Sequence, residues 1–193
     1  YTSYPTANLF TDSFALQKAI GAWSTGQSAT IPENVSLYIH VPFCRSLCWY
    51  CACNVYVSRD QNAGSRFTKF IKKELRLLAS EFCERVKITE VVFGGGSPNF
   101  LTSVQFKEIL SEMKTLFRCD PDFGLGVELD PRETKEELVA SLGEMGVGRL
   151  SVGVQDFSKK VQTAINRHQT FEQTLNLIES ARDSGVKSTN IDL

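Results

Sequence analysis

The hydrophobic pattern alternates between short apolar runs and longer segments whose apolar positions recur at helical spacing. The first short run, Leu37 to Val41, is closed by Pro42 and reads as a strand. From Arg66 to Phe82, the spacing of Phe67, Phe70, Ile71, Leu75 and Leu78 predicts a helix with one buried face. A second strand, Glu90 to Phe93, runs into Gly94-Gly95-Gly96-Ser97-Pro98. Thr102 with Gln105 is a capping-box pattern, and the helix it opens turns Phe106, Ile109, Leu110, Met113, Leu116 and Phe117 inward. Strand three, Gly124 to Leu129, ends at Asp130-Pro131. Thr134 and Glu137 then cap a third helix, with Leu138, Leu142 and Met145 inward and Gly146 as its stop. Strand four, Arg149 to Val154, ends at Gln155, and a short helix is expected around Lys159 to Ile165. Thr170 with Gln173 opens a helix through Leu175 and Ile178 to Gly185, and Ser188 to Leu193 reads as strand five.

Strands alternating with helices of this length predict βαβ units on a parallel sheet. The fold class expected is α/β: an incomplete, TIM-like β/α barrel whose five units occupy residues 36–193 and stop at the fifth strand. Residues 1–35 form a separate N-terminal segment. There Pro5 keeps the first residues extended or turn-like, and Phe14, Ala15, Ala19 and Ala22 or Trp23 suggest a short amphipathic helix. A last strand with nothing after it reads as the cut end of a fragment, with an open sheet edge and no turnover of its own.

Composition changes this picture little. A chain of 193 residues, 42% hydrophobic and 22% charged, can bury one core. A net charge of −1 points to no nucleic acid and no anionic membrane as partner. No apolar run is long enough to span a bilayer, and Tyr1 in place of a start methionine leaves any leader unjudged. Six cysteines, four of them in one loop, fit a reducing, cytoplasmic compartment. Cys83 and Cys119 lie near apolar helix faces and read as buried, inert thiols.

That loop carries the chemistry. Cys44, Cys48, Cys51 and Cys53 fall within ten residues, directly after strand one. Thiol-only ligation favours zinc, cuprous copper or an iron–sulfur cluster. Structural zinc usually takes two separated pairs, whereas iron–sulfur clusters are commonly held by one short loop. A disulfide knot is the bland alternative. In β/α barrels the site lies where the strands end. There the sequence places the cysteines, the triple glycine, Glu128, Gln155 and Asp192. Each has a structural reading as well: a tight turn for the glycines, a paired carboxylate for Glu128, satisfied sheet polars for Gln155 and Asp192. Arg167 could be an exposed helix-end cation, His40 a hydrogen-bonded core histidine, and His168 a helix-end residue.

The spacing C-x-x-x-C-x-x-C with Tyr50 before the third cysteine resembles the radical S-adenosylmethionine (SAM) enzymes. The resemblance extends further, to the oxygen-independent coproporphyrinogen III oxidases, or dehydrogenases. It rests on YTSYPTA at Tyr1, SLYIHVPFC ending at Cys44, CxxxCxYCxCN ending at Asn54 and GGGSP from Gly94. VELDPRE from Val127, RLSVGVQDF ending at Phe157, NRHQ from Asn166 and the terminal STNIDL complete it. It implies that Cys44, Cys48 and Cys51 hold a 4Fe–4S cluster whose fourth iron takes SAM. Tyr38, Gly95 and Glu128 would contact that SAM. Tyr50, Gly96, Ser97, Gln155, Arg167 and Asp192 would contact a second one. Tyr50 stands for a frequent Phe and Ser97 for a frequent Thr. Cys53 would be catalytic rather than a ligand. The implied reaction is oxidative decarboxylation of two propionates of coproporphyrinogen III to vinyl groups, giving protoporphyrinogen IX for haem biosynthesis. A 5′-deoxyadenosyl radical would abstract the propionate β-hydrogen, and a low-potential donor such as flavodoxin would reduce the cluster of a monomeric enzyme. Two other readings stand beside it. One is a haem chaperone of the same superfamily, which normally lacks Cys53 and the YPTA segment, and the other is a structural zinc module.

Overall fold

The computed structural model describes residues 34–60, 62–81 and 86–193, with Leu9, Gln17, Lys18, Gly21 and Ala22 of the N-terminal segment. The YPTA stretch, most of the predicted N-terminal helix, Phe82 and Cys83 lie outside the described residues. The elements in order are β1 (Val35–Val41), β2 (Phe43–Cys44), β3 (Tyr56–Val57), α1 (Ala63–Ala79) and β4 (Ile88–Gly95). After a 3-10 turn at Pro98–Phe100 come α2 (Ser103–Leu116), β5 (Cys119–Leu129), α3 (Glu136–Glu144) and β6 (Arg149–Gly153). The chain closes with α4 (Lys159–Ala164), α5 (Phe171–Asp183) and β7 (Ser188–Asp192). The five longer strands form one parallel sheet in the order β1-β4-β5-β6-β7, so each βα unit adds its strand beside the last. This is the expected α/β partial barrel.

Successive strand residues point to opposite faces, and here the two faces differ sharply. Ile39, Val41, Val91, Phe93, Val127, Leu129, Leu150 and Val152 point one way and are buried. Helix side chains cover them: Phe106, Ile109 and Met113 of α2 with Val139 and Leu142 of α3. Phe93 meets Phe106 edge to face at 4.9 Å. The opposite face carries Ser36, Tyr38, His40, Glu90, Glu128, Arg149, Ser151, Asn190 and Asp192. That face is held by polar contacts: Arg149 to Glu90 at 3.1 Å, Ser151 Oγ to Asp192 at 3.1 Å and Asn190 Nδ2 to Ser151 at 3.1 Å.

Capping boxes form at Thr102–Gln105 and Thr170–Gln173 as the sequence predicts. The third does not. Lys135 is the N-cap of α3, and Thr134 instead donates its hydroxyl to the Asp130 carbonyl at 2.7 Å. Gly146, at φ +87, stops α3: its N–H reaches Gly143 O and the next N–H, of Val147, reaches Leu142 O. Three further expectations change. Phe70 is 66% exposed, because Thr68 and Leu75 form the buried side of α1 with Ala63 and Gly64. Strand three begins at Cys119 rather than Gly124, which puts that thiol, half-buried, at a strand start and not on a helix face. Strand four ends at Gly153.

Candidate functional site

The cysteine loop is an excursion closed at its base. Phe43 and Cys44 pair with Tyr56 and Val57 as a short parallel ladder, a contact no sequence pattern announced. Phe43 anchors the entry, stacked on Phe100 at 4.8 Å and edge-on to Phe67 at 5.9 Å. The far side is tied to the segment after α4: Trp49 N–H donates to Ile165 O and Asn166 Nδ2 to Leu47 O. Asn166 sits at φ +54, a left-handed conformation that Asn tolerates better than most residues. His40 is satisfied, as expected of a core histidine, but its partner matters. The ring nitrogen Nε2 lies 2.8 Å from Asn54 O, so strand β1 holds the residue next to Cys53.

The three glycines act in three ways. A Cβ on Gly94 would come within 2.7 Å of both the Glu128 carboxyl and the Tyr38 ring, so its absence lets those side chains converge. Gly95 adopts φ +114, a conformation other residues rarely take, and donates its N–H to Glu128 Oε2 at 3.1 Å. A Cβ on Gly96 would meet Phe43 O at 2.7 Å and Cys44 Sγ at 3.0 Å. The turn therefore lies directly against the first cysteine.

These elements enclose a cavity of about 230 Å³ at the C-terminal ends of the strands. Cys44, Cys48, Cys51, Cys53, Tyr50, Gly95, Gly96, Ser97, Glu128, Gln155, Arg167 and Asp192 all line it. Tyr38 stands outside that lining, yet its ring approaches Gly94 beside Glu128. His168 is exposed. Arg167, which local sequence left open as an exposed cation, is 7% exposed. It donates from Nη1 to Cys48 Sγ at 3.3 Å and Asp130 Oδ2 at 3.2 Å, and from Nη2 to Gly153 O. Gln155 takes a left-handed backbone, φ +73, and donates its N–H to Asp192 O at 2.7 Å. Such strain, of order 1 kcal/mol, collects where a side chain is aimed for use.

The cysteines differ in surroundings. Burial pushes the Cys44 thiol up, partly offset by the Ser97 hydroxyl 3.6 Å away. Partial burial, then Cys51 beside it, pushes Cys53 up as well. Burial likewise raises the Tyr38 and Tyr50 hydroxyls. Cys48 alone is gripped by guanidinium groups, from Arg167 and from Arg132 Nη2 at 3.4 Å. Between those arginines lies Asp130. Burial alone would raise its carboxyl, but the Arg132 hydrogen bonds and both cations outweigh burial and hold it below the usual carboxylate range. Asp130, Arg132 and Asn166 were not singled out by sequence reasoning. An acid at a strand end with an arginine two residues on was the available signal.

The residues suit an iron–sulfur cluster. All five described cysteines are free thiols, so no disulfide knot forms among them. Four thiols of one loop line one cavity, and a buried donor beside it, Arg167 Nε, has no hydrogen-bond partner. An unsatisfied buried donor is rare and suits an anionic ligand. A structural zinc site needs its ligands converged on one ion. Among the described residues no such group of three His, Cys, Asp or Glu side chains is gathered. A multi-iron cluster instead takes each thiolate at a separate corner. No helix among the described residues is long and apolar enough to cross a membrane.

Comparison with known proteins agrees with this geometry. The chain is 37% identical over 195 residues to oxygen-independent coproporphyrinogen III oxidase of Pseudomonas aeruginosa, covering all of this chain and 42% of that protein. It is 38% identical over 194 residues to the Helicobacter pylori protein of the same name, again covering all of this chain and 42% of its relative. The solved structure of coproporphyrinogen III oxidase from Escherichia coli superposes with a TM-score of 0.89 at 36% identity, over all of this chain and 43% of that one. The chain thus spans about two-fifths of the length of these relatives. The model of the Radical SAM superfamily matches residues 38–193, and with that match over most of its length, cysteine loop included, the chain belongs to the Radical SAM superfamily.

Proposed function

We propose that this chain is the cofactor-holding part of an enzyme that oxidatively decarboxylates two propionate side chains of coproporphyrinogen III to vinyl groups. The product is protoporphyrinogen IX, in haem biosynthesis. The observation that carries the reading is the cavity in which the four loop cysteines meet Gly95, Glu128, Gln155, Arg167 and Asp192. Cys44, Cys48 and Cys51 hold a 4Fe–4S cluster, which together with SAM supplies one-electron cleavage chemistry. Each decarboxylation removes a hydrogen atom, carbon dioxide and one electron from a propionate.

The chain's own residues bind, orient and exclude water. Tyr38, Gly95 and Glu128 contact the cluster-bound SAM, with Gly94 leaving room for the Glu128 and Tyr38 side chains to approach one another. Tyr50, Gly96, Ser97, Gln155, Arg167 and Asp192 contact a second SAM in the same cavity. Arg167 is suited to a carboxylate, since a buried guanidinium pairs with anions at full strength. Cys53, exposed in the cavity lining and next to the residue His40 holds, is assigned to the reacting group rather than to the iron. The enzyme works as a cytoplasmic monomer, and an external low-potential donor such as flavodoxin supplies its electrons.

The test uses the full-length protein containing this chain, reconstituted anaerobically with iron and sulfide. With SAM, a low-potential reductant and coproporphyrinogen III, mass spectrometry should show 5′-deoxyadenosine and the divinyl product, and Cys44→Ala should yield neither. SAM cleavage without porphyrinogen product would move the substrate elsewhere. Retained haem without either product would identify a chaperone.

A further inference from the structure

We propose that Arg132 is a positioning residue for the iron–sulfur cluster: clamped by Asp130, it hydrogen-bonds Cys48 Sγ and raises the cluster's reduction potential. This rests on the reading of Cys44, Cys48 and Cys51 as cluster ligands. Arg132 follows β5, and Asp130 at the end of that strand grips one edge of its guanidinium. Nε lies 3.0 and 3.1 Å from the two carboxylate oxygens and Nη2 lies 2.6 Å from Oδ2. Asp130 is buried and Arg132 largely so, at 6% and 12% side-chain exposure. With that edge fixed, the remaining donors point toward the loop and the segment after α4. Nη1 reaches Ser46 Oγ at 3.2 Å and Asn166 O at 3.5 Å, while Nη2 reaches Cys48 Sγ at 3.4 Å.

One planar group thus fixes the strand end, the cysteine loop and the segment after α4 to one another. Only arginine offers five donors in a rigid fork; lysine would keep the charge and lose the geometry. Arg132 and Arg167 carry two positive charges against the one negative charge of Asp130, so Cys48 sits in a net positive, water-poor pocket. Cys44, by contrast, has a neutral hydroxyl at 3.6 Å. Cluster potential is set by charge and by hydrogen bonds to the sulfurs. A cationic donor at one ligand stabilises the more negative, reduced state and raises the potential. Partners of this outer kind are also worth about 10–100-fold in metal affinity.

The experiment is a redox titration followed by electron paramagnetic resonance on the full-length, anaerobically reconstituted protein, with wild type, Arg132→Met and Arg132→Lys compared. Iron loss to a chelator is timed in parallel. In Arg132→Met the midpoint should move to more negative potential and iron should leave about tenfold faster; Arg132→Lys should fall between. A midpoint equal to wild type in cluster-loaded Arg132→Met overturns the proposal even if its melting temperature drops, since a merely structural arginine would do only the latter. If Arg132→Met retains no cluster, Arg132→Lys decides, and a midpoint equal to wild type there overturns the proposal. A wild-type protein that assembles no iron–sulfur cluster overturns the ligand reading beneath it instead.

Discussion

The two faces of the sheet obey different rules. On the helix side, Phe93, Val91, Leu150 and Val152 are fully buried, and the packing is that of any close-packed interior. On the other side the sheet offers Glu90 paired with Arg149, Ser151 bonded to Asn190 and Asp192, and Glu128 accepting from the Gly95 N–H, all at least partly open to solvent. A closed β/α barrel fills its interior with bulky branched side chains. The corresponding face of these five strands carries charged and polar side chains instead, which suit binding more than packing. The lesson is that stability and chemistry have been separated by the two-residue period of the strand. Successive residues of one strand, Val127 and Glu128, belong to the two different tasks.

The separation can be broken by substitution. Phe93→Ala should have the largest effect, a loss of about 3–5 kcal/mol in denaturant unfolding, from the cavity left against Phe106. Asp130→Asn should cost about 3 kcal/mol, since it leaves the buried Arg167 and the partly buried Arg132 without their anion. The pH dependence follows from the same residue. Its folded carboxyl is depressed by Arg132 and Arg167 against burial. The stability it contributes is therefore complete above its unfolded value of about 3.9 and is lost as pH falls below that toward the folded value. Asp130→Asn should remove that part of the acid sensitivity in acid-unfolding curves.

The open face should respond in function more than in stability. Gly94→Ala forces Glu128 and Tyr38 apart; their ends can swing toward solvent, so unfolding should shift by under about 1 kcal/mol. SAM affinity, read by calorimetry on the reconstituted full-length protein, should fall about tenfold or more. Smallest of all, Arg149→Gln breaks an exposed pair with Glu90 and should cost no more than about 1 kcal/mol. An Arg149→Gln loss equal to that of Phe93→Ala would erase the distinction between the faces.

How much of this was legible in the sequence follows from how local each signal is. Strand and helix order came from periodicity, and two capping boxes from four residues each, Thr102 with Gln105 and Thr170 with Gln173. Thr134 failed as a cap because the helix starts one residue later, with Lys135 as N-cap, while the Thr134 hydroxyl donates to the Asp130 carbonyl. Phe70 failed as a core residue because the buried side of α1 runs through Ala63, Gly64, Thr68 and Leu75, and Phe70 lies off it. The cysteines, glycines and Glu128 were readable because their residue types are unusual at strand ends. Long-range partners were not. Arg132 meets Cys48 across 84 residues of sequence and Asn166 meets Leu47 across 119, and no local pattern encodes either contact.

The central claim is that three loop cysteines, and not the fourth, hold a cluster in the cavity at the strand ends. The most direct measurement is iron and sulfide content with electron paramagnetic resonance of the reduced full-length protein, for wild type and for Ala variants of Cys44, Cys48, Cys51 and Cys53. The expected result is a 4Fe–4S signal in wild type and Cys53→Ala, perturbed by added SAM in both, and its loss in each of the other three. A Cys53→Ala protein without the cluster, or a Cys48→Ala protein that keeps it, would contradict the assignment.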